Sequence, residues 1–134
     1  MMRQKVPDRK NAQSIIDAAE RDLKFTLTLP ISEQSAATIV RNIYEGFRML
    51  GDALLVIKGI QSQDHVTPIK ELLQLSVSTP RPIQLIDYLR NMRHNINYYG
   101  YKPSLEEVKD TISLAQSCFQ PLLEKVREEI NHVR

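Results

Sequence analysis

The chain has 134 residues, with 18 Lys+Arg against 16 Asp+Glu, a formal net charge of +2 and 42% hydrophobic residues. That size and apolar content predict a single domain over residues 1–134, with its core from about residue 10 to residue 130. Near-balanced charge excludes a disordered polyelectrolyte and a non-specific DNA coat, so any basic site is local.

The single cysteine, Cys118, excludes an intramolecular disulfide and a thiolate zinc cluster, and fits a reducing compartment. No apolar run approaches the roughly 20 residues of a membrane-spanning helix, and Met1-Met2-Arg3-Gln4-Lys5 lacks the apolar stretch of a signal peptide. The expectation is a cytoplasmic protein with no membrane partner. Only four glycines occur, and the prolines fall mostly between periodic stretches, so the chain reads as helices joined by short connections.

The first predicted helix runs from Asp8 to Thr26 with an apolar stripe of Ile15, Ala19 and Leu23. From Lys24 to Leu29 the residues alternate in a strand-like way, but a lone strand has no partner, so the segment is expected to be helix fraying before Pro30. The second helix carries Ile39, Ile43, Phe47, Leu50, Leu54 and Ile57 at steps of three and four. Ser32 is its expected N-cap and Gly59 its stop, and it is expected to be the central packing element. Thr67 as N-cap, followed by Pro68 in the first turn, is expected to start a short helix through Ile69, Leu72 and Leu73, which Ser78-Thr79-Pro80-Arg81-Pro82 ends. The fourth helix carries Leu85, Leu89, Met92 and Ile96 and stops at Gly100, where glycine tolerates the left-handed conformation. A capping box of Ser104 and Glu107 opens the last helix, whose seam is Leu105, Val108, Ile112, Ala115, Phe119, Leu122 and Val126. Pro121 is expected to bend it. The fold class is therefore all-α, an up-and-down bundle of four to five helices.

On a helical wheel of the fourth helix, Leu85, Leu89, Met92 and Ile96 take one side. Arg90, Arg93, His94 and Asn97 take the other, with Tyr101 if the helix reaches it. The polar groups are thus expected to point away from the subunit's own core. Between Arg81 and Lys102, Arg81, Arg90, Arg93 and Lys102 face one acidic residue, Asp87, a local charge of +3, and four of the five tyrosines lie there: Tyr88, Tyr98, Tyr99 and Tyr101. Guanidinium groups hold phosphate bidentately, phenols stack on bases, and an imidazole moves protons near neutral pH. Three readings of this face stand side by side: a solvated or subunit-interface surface, a phosphate or RNA site, and a catalytic site.

Other residues carry less. His65 is expected to help cap the third helix, His132 to sit at a fraying terminus, and Cys118 to be a small buried apolar residue. Three dispersed histidines make no metal site, and no Gly-rich phosphate loop or Gly-x-Ser-x-Gly turn is present. No metal or cofactor is expected.

The order of elements resembles the HEPN domains, helical nucleotide-binding bundles of prokaryotes and higher eukaryotes. The resemblance rests on Leu54-Leu55-Val56-Ile57-Lys58-Gly59-Ile60, on Asp64-His65, on Leu89-Arg90-Asn91-Met92-Arg93-His94-Asn95-Ile96-Asn97-Tyr98-Tyr99-Gly100, and on Pro103-Ser104-Leu105-Glu106-Glu107. It implies a homodimer with a polar motif from each subunit facing a shared cleft. It also implies either a metal-independent endoribonuclease of toxin–antitoxin, defence or RNA-processing type, or a partner for a nucleotidyltransferase. The family's motif is an arginine, four to six residues, then a histidine. Here Arg93 carries over as the motif arginine, Tyr98 stands at the histidine position, and His94 follows Arg93 directly. A phenol, with a reference pKa of about 10, is a poor base at neutral pH.

The leading expectation is a weakly catalytic or non-catalytic HEPN-like homodimer. It binds nucleotide, RNA or a nucleotidyltransferase through Arg90, Arg93, His94, Asn97, Tyr98 and Tyr101. The alternatives are an endoribonuclease using His94 and Arg93, and a purely structural dimerisation module.

Overall fold

Asp8 opens the first helix, α1 (Arg9–Thr26), its carboxylate accepting from the Asn11 amide at 2.9 Å. The computed structural model describes residues 2–4, 6–64 and 66–132, and of these 2–4 by backbone only. After α1 follow α2 (Ala36–Ile57), α3 (Val66–Leu73), α4 (Leu85–Tyr99) and α5 (Leu105–His132). The chain is an all-helical bundle, joined by one small ribbon: β1 (Met2–Gln4) pairs antiparallel with β2 (Ile60–Ser62), Arg3 opposite Gln61. Three polar-rich residues per strand carry no hydrophobic alternation to announce it.

The second helix is central, as its periodicity predicts. Ile39, Ile43, Phe47, Leu50, Leu54 and Ile57 are all buried, and α1, α3, α4 and α5 all pack on α2. The Phe47 and Phe119 rings, 5.7 Å apart, join it to α5. Two stripes are rotated from expectation. Ile16 rather than Ile15 is fully buried in α1, and Ile86 rather than Leu85 in α4. In α5, Val108, Ala115, Phe119, Leu122 and Val126 are buried as predicted, whereas Leu105 is exposed and Ile112 only half-buried. The helix runs unbroken through Pro121, and the burial of Leu122 and Leu123 immediately after it offsets the lost backbone bond.

The caps correct two assignments. Ser35, not Ser32, is the residue before α2, and the two serines exchange bonds, each amide donating to the other's hydroxyl at 2.9 and 3.1 Å. Asp64, not Thr67, caps α3: its Oδ1 accepts from the Val66 and Thr67 amides at 3.0 and 2.7 Å. His65, expected to help there, lies outside the described residues. The Ser104–Glu107 box forms as predicted, Ser104 N–H donating to Glu107 Oε1 at 2.9 Å and Glu107 N–H to Ser104 Oγ at 3.1 Å. Gly100 closes α4 with φ +65°. The 24–29 alternation is not a strand; α1 ends at Thr26 in a turn.

The bonds to Thr67, first its amide, hold the Asp64 carboxyl down at about 2. A carboxylate depressed when folded stabilises above its unfolded pKa, and that contribution is lost as pH falls through the folded one. Asp64→Ala is therefore expected to cost about 1 kcal/mol at neutral pH. Urea titrations of both proteins should show the difference shrinking from about pH 4 down to pH 2.

Candidate nucleic-acid interface

Apolar positions at 86, 89, 92 and 96 lay α4 against α2, and this fixes where its polar side chains go. Arg93 is not turned wholly outward. It is half-buried, with its guanidinium carbon 5.9 Å from the centroid of the Tyr44 ring in α2. Tyr44 is fully buried, and burial pushes its phenol up to about 12 although Arg48, Arg93 and Arg90 pull the other way, so it is neutral at physiological pH. The ring is an apolar, electron-rich floor that orients the guanidinium.

Around Arg93 the candidates separate. His94, Asn97 and Tyr98 are exposed, and the His94 ring lies 4.7 Å from Tyr98 and 5.8 Å from Tyr99. Together they form an accessible aromatic shelf. Arg90, half-buried, donates from Nε to Asp87 Oδ1 at 2.9 Å, so most of its charge is already answered. Tyr101 leaves the face: the helix ends at Tyr99, the chain turns at Gly100, and the Tyr101 hydroxyl donates to Glu107 Oε1 at 2.6 Å. That bond raises the phenol's pKa and lowers the carboxyl's.

One residue that the sequence reading missed belongs here. Arg41 of α2 donates from Nη1 to Asn97 Oδ1 at 3.4 Å, so it stands beside the α4 face although 56 residues separate the pair. Among the described residues neither Arg41 nor Arg93 forms a salt bridge with a carboxylate, whereas Arg48 bonds Glu45 and Asp52 in its own helix. Only the packing of α4 on α2 reveals this pair of cations. The cleft on the other flank of α4, about 230 Å³ between α4 and α5, is lined by Glu106, Glu107 and Asp110 and is hostile to phosphate.

Among the described residues no group of three or more His, Cys, Asp and Glu can hold a metal, and no helix is long and apolar enough to cross a membrane. Cys118 is buried as expected; burial pushes its thiol up, and the Sγ lies 3.3 Å from the Arg81 carbonyl to which it donates. His132 is exposed at the end of α5. No protein-family model, no curated protein and no solved structure matches the chain.

Proposed function

We propose that the chain is a HEPN-like, weakly catalytic or non-catalytic homodimer that binds a nucleotide or RNA on the α4 face and works with a nucleotidyltransferase partner. The observation that carries the ligand reading is the setting of Arg93: seated over Tyr44, in no salt bridge with a described carboxylate, and flanked by Asn97 and the His94, Tyr98 and Tyr99 rings. Arg93 grips phosphate, Arg41 adds a second cation, and the rings stack on a base. Arg90 contributes field rather than contact, because Asp87 holds it.

Anisotropy with a labelled single-stranded oligoribonucleotide is expected to show binding at low salt. Its logarithm should fall with log salt at a slope of about −0.7 per phosphate engaged, so two cations give about −1.4. No measurable affinity at low salt retires the reading.

The exposed His94 beside Arg93 favours a second reading, metal-independent cleavage with the imidazole as base. It predicts a cyclic or 3′-phosphate product in EDTA, lost in His94→Ala. Intact RNA with the wild-type protein leaves binding alone.

A further inference from the structure

The outward row of α2 reads Arg41, Glu45, Arg48, Asp52, with steps of four, three and four that place all four on one ridge. Its charges alternate in sign. The ridge is about 16 Å long at 1.5 Å per residue. Arg41 is exposed, and the Glu45, Arg48 and Asp52 side chains are 45%, 22% and 25% exposed. Inverted end to end, the row meets its own opposite: a positive position faces a negative one at every step. Laid parallel on itself, it sets like charge against like.

A second feature lies at the same level. Phe25 of α1 is 65% exposed, and a groove of about 570 Å³ between α1 and α2 runs past it over Asn42, Glu45, Gly46 and Met49. The four α2 positions centre on the middle of the charged row. The exposed phenylalanine and the partly apolar groove beside it give a covering chain apolar area to bury.

We infer that a second copy of this chain docks on the α1–α2 face, the two α2 helices antiparallel about a two-fold axis between Glu45 and Arg48. Arg41 then meets the partner's Asp52, Glu45 meets the partner's Arg48 while each Arg48 keeps its bonds to Glu45 and Asp52 of its own helix, and Phe25 is covered near the axis. Burial raises the Asp52 carboxyl despite Arg48 beside it, so a second cation there relieves a desolvated charge. A two-fold lying in the interface plane keeps both copies of α4 on one side of the α2 pair and both copies of α1 on the other. This deepens the homodimer reading and rests on it; Arg41 is common to both readings, so the partner's Asp52 competes with a phosphate for it, whereas Arg93 is left to the ligand alone.

The test is sedimentation of ligand-free protein at tens of micromolar. The wild type is expected at twice the 15.5 kDa chain mass. Arg41→Glu and Asp52→Arg, each expected to dissociate at least about tenfold more readily through like-charge contacts, should each sediment near the monomer mass. Mixed in equal amounts they should restore a dimer, because the heterodimer pairs Glu with Arg at one end and Arg with Asp at the other. Phe25→Glu should give monomers with unchanged helical circular dichroism. A wild-type dimer that survives all three changes overturns the face and spares the homodimer. A mixture that stays monomeric overturns the charge register. A monomeric wild type removes both, leaving ligand binding to its own assay.

Discussion

Arg93→Ala is expected to weaken oligoribonucleotide binding by about 2 kcal/mol, roughly thirtyfold, because a charge-assisted phosphate contact is lost from a site where Arg41 is left as the one neighbouring cation in no salt bridge with a described carboxylate. The same change is expected to lower thermal stability, since the guanidinium lies over the buried Tyr44 ring. That contact is worth about 0.5–2 kcal/mol. Arg93→Lys separates the two effects. A lysine keeps charge over the ring but not the planar fork, so stability should largely return while binding recovers only in part. Unchanged affinity in both variants, by anisotropy at low salt, would show that the face contributes no phosphate contact.

Gly51→Ala is expected to destabilise the fold although it adds only one methyl group to the interior of a helix. Gly51 lies mid-helix on α2, buried, and α3 crosses it through the Pro68 backbone. A Cβ there would collide with the Pro68 carbonyl oxygen and stand 2.6 Å from its carbonyl carbon and 3.0 Å from its Cα. No rotamer relieves a clash with backbone. The gain of about 1 kcal/mol from alanine's helix propensity is outweighed unless α3 shifts. We expect a net loss of about 1–3 kcal/mol in urea unfolding. Gly46 is the internal control: a Cβ there meets Phe119 at 3.5 Å, an ordinary contact, so Gly46→Ala should be neutral or mildly stabilising. If both glycine variants melt alike, the close crossing is not what holds α3 in place.

Much of the fold was legible because it is written in periodicity. The α2 stripe, the Ser104–Glu107 box and the stop at Gly100 all stand where the sequence places them. What escaped was set by contacts between distant segments. The β1–β2 ribbon joins residues near 3 to residues near 61 and has no local signature. Asp64 outcompetes Thr67 as a cap because its carboxylate reaches two amides at once. On the candidate site the α4 wheel gathered Arg93, His94 and Asn97 correctly on the polar side, but a wheel knows only one helix. It cannot tell that Tyr44 lies beneath Arg93, that Arg41 reaches Asn97, or that Asp87 occupies Arg90. Tyr101 lies off the face for a simpler reason: the helix does not reach it, because one left-handed residue ends it and turns the chain toward Glu107.

The buried Cys118 sulfhydryl, anchored to the Arg81 carbonyl, gives the molecule a natural stopwatch. An aromatic disulfide reagent reaches it only when the packing around it opens, its contact with the Arg81 backbone included. The rate of colour release therefore times that excursion in unmodified protein, with no engineered label.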